Sequence, residues 1–262
     1  MPGGLDINQL KDLAAFASSL TRLSRPIVHQ WFRQAPSIDV KDDASPVTIA
    51  DKSIETALRD AITTHYPDHG LIGEEHGSIN LDSDFTWVID PIDGTRAFSC
   101  GNPLFGTLIA LLHAGQPVIG VIDLPVLDQQ WLGIDGQPTR LNGAAVRTHD
   151  VSQLADARLT TTSTEALGDN LPRFMRLSKA ARVTGSGGDC ANYAHLASGW
   201  NDCVAECGLN LYDIMAVIPV ITGAGGVVSQ WDGTPIRLHG YDGTALASAS
   251  AALHDEAVKT LS

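Results

Sequence analysis

The strongest chemical signal in the chain is the string Trp87-Val88-Ile89-Asp90-Pro91-Ile92-Asp93-Gly94-Thr95. An apolar strand runs into Asp90, and Pro91, which cannot donate to a sheet ladder, ends it there. Asp90 and Asp93 stand three apart across a tight turn, so their carboxylates can converge. Gly94 permits a sharp backbone, and Thr95 opens the next segment with free N–H groups. Carboxylates beside exposed amides suit a divalent cation that also holds a phosphate. An Asp-rich turn after a strand is common in itself, so the weight rests on the whole string. Three weaker acidic features accompany it. Gly73-Glu74-Glu75-His76-Gly77 follows apolar Leu71-Ile72 where a strand should end, and alone it reads as a solvated turn. Asp213 opens the apolar run Ile214 to Ile221 and alone reads as a helix N-cap. Asp51 lies three residues after Thr48 and alone reads as its capping-box partner.

The elements around these residues follow from periodicity. Leu10, Leu13, Ala14, Ala17, Leu20, Ile27 and Trp31 recur near a 3.6 period and predict a helix over residues 5–34. A second helix, capped by Thr48, buries Ile54, Ala57, Leu58, Ala61 and Ile62, and Pro67 stops it. From Leu71 onward short strands are expected at Leu71–Gly73, Phe85–Asp90, Phe105–His113, Val118–Val121, Gln130–Gly133 and Ala145–Thr148. The second half alternates. Strands are expected near Arg158–Thr161, Arg182–Thr184, Asp202–Glu206 and Gly226–Gln230. Helices are expected near 164–180, from Asp189, from Tyr212 and at the C-terminus. This is a mixed, layered α/β pattern and not a barrel. A boundary near residue 150 divides it into an N-terminal α+β half (1–150) and a C-terminal α/β half (151–262). No Pro/Ser linker marks the boundary, so the halves should pack tightly.

Composition bounds the function. The chain has 262 residues, with 17 Lys and Arg against 30 Asp and Glu, a formal charge of −13. At 44% hydrophobic residues it supports a sizeable core. The acidic balance argues against nucleic-acid binding and against an anionic membrane surface. An acidic protein still binds an anionic substrate where metal ions reverse the local charge. The four cysteines, Cys100, Cys190, Cys203 and Cys207, make neither a disulfide framework nor a zinc set. The N-terminus lacks a signal-peptide pattern. The uncharged stretch Ile214 to Trp231 contains Pro219, Gly223, Gly225 and Gly226, so it is no continuous membrane helix. A soluble cytoplasmic protein is expected.

With GEE at 73–75, WVIDPIDGT at 87–95, VTIAD at 47–51 and LYD at 211–213, the chain resembles the inositol-monophosphatase-like family of metal-dependent phosphatases. The resemblance runs from about Val47 to Gly233 and includes Gly223-Ala224-Gly225-Gly226. It implies a sugar-phosphatase-like αβαβα sandwich. It further implies that Glu74, Asp90, Asp93, Asp213 and the Ile92 carbonyl bind two or three Mg²⁺. Gly94 and Thr95 would hold the phosphate through backbone N–H groups. Asp51 would pair with Thr95 and, with Glu74, position and activate the attacking water. The residue types agree with this. All these ligands are hard oxygens, which suit Mg²⁺ and not zinc. No nucleophile motif is present, so direct attack of water on phosphorus is expected.

The organic group of the substrate should meet the second half. Gly187-Gly188-Asp189-Cys190-Ala191-Asn192-Tyr193 resembles the histidinol-phosphatase type of the family, which carries Asp where inositol phosphatases carry a small neutral residue. Tyr212 beside Asp213 points the same way. Glu206 lies seven residues before Asp213, where the family places a glutamate that contacts substrate. Arg96 follows the phosphate-binding Thr95 and departs from many inositol-type members, which bears on selectivity. Asp93, Gly94, Thr95, Arg96, Asp189 and Glu206 thus form the expected substrate set. Two carboxylates suit a cationic organic group. Histidinol phosphate, with an ammonium and an imidazole, is the favoured substrate. Inositol 1-phosphate, or a broader set of sugar and nucleotide phosphates, is the alternative. By the same resemblance a homodimer is expected. A non-catalytic scaffold is disfavoured by the intact ligand set.

Overall fold

Each apolar strand of this chain serves two cores at once, because successive side chains of a strand point to opposite faces. The computed structural model describes residues 6–34 and 46–262. Its first sheet contains β1 (Gly70–Gly73), β2 (Ser78–Ile79), β3 (Phe85–Asp93), β4 (Gly106–His113), β5 (Gln116–Leu124), β6 (Gln129–Ile134), β7 (Arg140–Leu141) and β8 (Ala144–Ala145). Their order is β2-β1-β3-β4-β5-β6-β7-β8, with β1 parallel to β3 and the other pairs antiparallel. Trp87 and Ile89 of β3, with Ile109 and Leu111 of β4, bury against α1 (Ile7–Trp31) and α2 (Pro46–His65). Val88, Leu108, Ala110 and Leu112 bury on the opposite face. Burial on both sides explains why these strands read as continuous apolar runs.

The second sheet contains β9 (Arg158–Thr161), β10 (Val183–Ser186), β11 (Cys203–Cys207), β12 (Val227–Ser229) and β13 (Thr244–Ser248), in the order β10-β9-β11-β13-β12. Between the sheets lie α5 (Cys190–Ala197), α6 (Leu211–Ile214) and α7 (Val217–Gly223). Ala191, Ala194, Met215 and Val220 of this layer share one core with Val88 of the first sheet and with Val204 and Ala247 of the second. The outer face of the second sheet packs Leu159, Ala205 and Leu246 against α4 (Leu171–Ala180) and α8 (Ala251–Leu261). The stack is therefore αβαβα, as expected. A short helix, α3 (Thr95–Ser99), follows β3 directly.

Several local expectations are corrected. The second helix already runs through Pro46, so Thr48 lies inside it and is not its N-cap. The helix expected from Tyr212 is divided into α6 and α7. The strand expected at Ala145–Thr148 is only the pair Ala144–Ala145. Strand β13, expected nowhere, pairs with both β11 and β12. Its sequence, Thr-Ala-Leu-Ala-Ser, has one β-branched residue, Thr244, and otherwise lacks the composition of a strand. Ala245 and Ala247 are small residues in the core shared with α5 and α7, and Leu246 supplies the other face.

Candidate active site

Asp90 and Asp93 are three apart, so in a regular strand their side chains would face opposite sides of the sheet. The ladder between β3 and β4 pairs Asp90 with Leu108 and Asp93 with Gly106, which sets three steps on β3 against two on β4. That extra residue is a β-bulge, and it restores both carboxylates to one face. Pro91 sits within it, where the missing N–H costs no ladder bond. Thr107 Oγ1 donates to the Pro91 carbonyl at 2.8 Å and pins the bulge from β4. Ile92 points into the outer core with Ile89. The bulge thus separates two aspartates facing the interior of the stack from an anchoring isoleucine.

Asp213 reaches the same place from α6. Asn210 caps that helix, and its own N–H donates to Asp213 Oδ2 at 2.6 Å, which completes a reciprocal capping box. One carboxylate oxygen from each of Asp90, Asp93 and Asp213 lies within 4.8 Å of the others. Asp90 is only 2% exposed, and its Oδ1 has no hydrogen-bond partner among the described residues. Burial raises the pKa of Asp90 well above the carboxylate range, and Asp93, Glu74, Asp213 and Asp51 raise it further. Asp93 is raised the same way by burial, Asp213 and Asp189, although it accepts the Cys190 N–H at 2.6 Å. Carboxylates with an orphaned buried oxygen repel one another unless a cation stands among them. An all-oxygen donor set fits a hard divalent ion.

Glu74 and Asp51 approach this cluster from the α2 side. Glu74 stands exposed on the turn after β1. Its carboxyl is raised to about 6 by desolvation and by the charges of Asp213, Glu75 and Glu55. Asp51 is 3% exposed on α2, and its Oδ1 has no hydrogen-bond partner among the described residues. Burial, then Glu74, Glu75 and Glu55, push it to about 8. Asp51 and Thr95 share no hydrogen bond here. Thr95 Oγ1 instead donates to the Ile92 carbonyl at 3.5 Å. Gly94 adopts φ 89°, which turns the chain from β3 into α3. A Cβ there would lie 3.0 Å from Asp189 Oδ2, so the glycine also lets the second half close in.

Beside the acidic cluster is a cavity of about 240 Å³. Asp93, Gly94, Thr95 and Arg96 line it from the first half, and Thr162, Asp189, Tyr193, Glu206 and Asp213 from the second. All six residues of the expected substrate set therefore border one space. Burial raises Asp189 to about 6, opposed by the Arg96 charge. Glu206 is 5% exposed and is raised to about 7 by burial. Its Oε1 accepts the Thr162 N–H at 3.0 Å and the Thr162 hydroxyl at 2.6 Å, with Asn192 Nδ2 at 3.5 Å. Among the described residues its Oε2 accepts only the Tyr193 hydroxyl, at 3.0 Å, which leaves a second lone-pair direction.

Sequence reasoning missed the roles of four contributors. Cys190 acts through its backbone N–H, which no residue type announces. Thr162 and Tyr193 orient Glu206 from distant positions. Glu55 is fully buried and bonded to the turn that carries Glu74. Its position one helical turn after Asp51 was the available signal.

A layered αβαβα sandwich with an acidic cluster at one end of a substrate-sized cavity defines a phosphoesterase class of site. Residues 9–262 match the model of the inositol monophosphatase family. The chain is 42% identical to the bifunctional phosphatase IMPL2, chloroplastic, of Arabidopsis thaliana, over 88% of this chain and 68% of that protein. It is 33% identical to a histidinol-phosphatase of Chlorobaculum parvum, over 95% of this chain and 93% of that protein. Among solved structures, an inositol monophosphatase from Zymomonas mobilis superposes with a TM-score of 0.89 at 36% identity, covering 96% of this chain and 98% of that one. The chain belongs to the inositol monophosphatase family and is a phosphatase. Among the described residues, no helix is long and apolar enough to cross a membrane.

Proposed function

We propose that this phosphatase hydrolyses L-histidinol phosphate to L-histidinol and phosphate, with Mg²⁺ as its metal. The observation that carries the substrate is the pair Asp189 and Glu206 in the cavity that also holds Asp93 and Gly94. Two buried-side carboxylates favour a cationic organic group, because a charge-assisted hydrogen bond is stronger than one to a neutral hydroxyl. The histidinol-phosphatase names of several relatives support the same choice.

Glu74, Asp90, Asp93, Asp213 and the Ile92 carbonyl would hold the metal. Bound there, Mg²⁺ supplies charge neutralisation for phosphate and a lowered pKa for water. The remaining steps fall to the chain itself. The N–H groups of Gly94 and Thr95 receive the phosphate oxygens. Asp51 and Glu74 position the attacking water, and a deprotonated carboxylate oxygen of one of them accepts its proton. Thr95 helps position that water. Asp189 and Glu206 receive the ammonium and imidazole, and Arg96 sets the charge balance at the mouth. Two or three Mg²⁺ per site and a homodimer go with this reading.

A second reading is an inositol-1-phosphate phosphatase or a broader sugar- or nucleotide-phosphate phosphatase. The names of the Zymomonas mobilis and Anabaena structures favour it. The experiment is a kcat/KM panel with Mg²⁺ over histidinol phosphate, inositol 1-phosphate and nucleotide 3′-phosphates. Histidinol phosphate is expected to lead. Equal or better turnover of inositol 1-phosphate overturns the substrate assignment.

A further inference from the structure

Glu55 takes no part in the chemistry above, yet its carboxylate is fully buried within reach of three donors. Oε2 accepts the Glu75 N–H at 2.6 Å, and Oε1 accepts the His76 N–H at 3.0 Å. Oε1 also accepts Arg59 Nε at 2.7 Å. Arg59 then reaches past it, and Nη2 donates to the Gly77 carbonyl. The segment that presents Glu74 is thus held by two side chains of α2, one receiving its N–H groups and one donating to its carbonyl. Gly73 completes the fit, since a Cβ there would lie 2.6 Å from Glu55 Cδ. Asp51, Glu55 and Arg59 follow one another at four-residue steps along a single helix face. The face that buries Asp51 beside the acidic cluster is the face that clamps the Glu74 turn.

We propose that Glu55 is a positioning residue that sets the backbone of residues 73–77 so that Glu74 is aimed at the metal cluster before any ion arrives. The proposal rests on the metal-site reading given above. A buried carboxylate with no cation partner other than Arg59 among the described residues is costly, and two convergent backbone N–H groups offset that cost only while the turn holds this shape. The turn and the glutamate therefore stabilise each other. Without the carboxylate the two N–H groups lose their acceptors inside the protein. Glu74, which stands solvent-exposed, would then sample orientations away from the cluster. Groups that orient a metal ligand typically contribute roughly 10- to 100-fold to metal affinity.

Two measurements on the full chain test this. Calorimetric titration of Mg²⁺ into Glu55→Gln should give a Kd about tenfold above wild type. The metal-free melting temperature should fall far less than the Mg²⁺-induced increase in Tm shrinks. A general structural role would do the reverse. Hydrogen exchange on the metal-free wild-type protein should show the Glu75 and His76 amides protected, and this readout stands even where the variant fails to fold. A Kd within twofold of wild type, or unprotected amides at those two positions, overturns the proposal. Wild-type protein that takes up no Mg²⁺ at all overturns the metal-site reading beneath it, so the two failures are distinct.

Discussion

The backbone N–H of Cys190 donates to Asp93 Oδ2 at 2.6 Å, across 97 residues of sequence. Asp93 ends a strand of the first sheet, and Cys190 begins a helix in the layer between the sheets. The bond therefore joins the metal cluster to the segment that presents Asp189. It also means that Asp93 has one oxygen committed to the fold, with the other left for the cluster and its ligand.

Asp93→Asn tests that division. The substitution keeps the volume and one acceptor oxygen and removes one negative charge from the cluster. Mg²⁺-dependent phosphate release should fall by at least about a hundredfold, as expected when a metal ligand is neutralised. Circular dichroism should show the fold retained. Release within tenfold of wild type would take Asp93 out of the metal site.

The bulge between Asp90 and Asp93 makes a separate prediction. Thr107 is fully buried and donates to the Pro91 carbonyl, so Thr107→Val removes that donor from the bulge. The loss should be about 1–3 kcal/mol of stability, read from the midpoint of urea unfolding. Mg²⁺ affinity should weaken in parallel, because the bulge sets both aspartates. A destabilised variant that binds Mg²⁺ as tightly as wild type would show that the bulge does not depend on this bond.

These relationships mark the limit of what the sequence made legible. The string from Trp87 to Thr95 was readable because an apolar run, a proline and two aspartates each carry a local signal. That Asp90 and Asp93 share a face was readable only as an expectation from a turn. The structure supplies a different cause, a register shift against Gly106 and Leu108 that depends on a partner strand. Strand β13 escaped for a related reason. Its alanines answer to the helices packed on them and not to an intrinsic β preference. Glu55 escaped because a buried glutamate on a helix looks like a solvated one until the turn that needs it is folded beside it. Asp51 was legible twice, as a capping residue and as a family match. The helix beginning by Pro46 removes the capping role and leaves a buried carboxyl facing Glu74.

The acidic site should couple stability to pH. Asp51 is raised to about 8 and Glu74 to about 6, whereas in the unfolded chain both titrate near 4. Between those values the folded, metal-free protein binds more protons than the unfolded chain. Its stability is therefore greatest at low pH in that window and falls as pH rises from about 4 through about 8. Bound Mg²⁺ favours the deprotonated groups and should reverse the trend, with proton release on binding. The increase in Tm on adding Mg²⁺ should be larger at pH 8 than at pH 6. An increment independent of pH, or larger at pH 6, would contradict protonated carboxyls in the metal-free site.

The substrate end of the cavity separates by substitution into a contact and its support. Asp189 borders the cavity and has no hydrogen bond to a backbone donor of its own helix, because it caps α5 without a side-chain bond. Its carboxylate is free to meet a cation. Asp189→Ala should thus lower kcat/KM for histidinol phosphate by roughly tenfold or more, the worth of a charge-assisted hydrogen bond, and leave an aryl phosphate close to wild type. Glu206 is different, because its orientation depends on Tyr193 and Thr162. Tyr193→Phe removes the hydroxyl that donates to Oε2 and lets that oxygen turn from the cavity. KM for histidinol phosphate should rise several-fold with kcat changed little, since the hydroxyl acts on binding and not on the reacting phosphorus. Equal losses on both phosphates in Asp189→Ala would make that residue structural. A fall in kcat at unchanged KM in Tyr193→Phe would place Glu206 nearer the chemistry than a substrate-binding role assigns it.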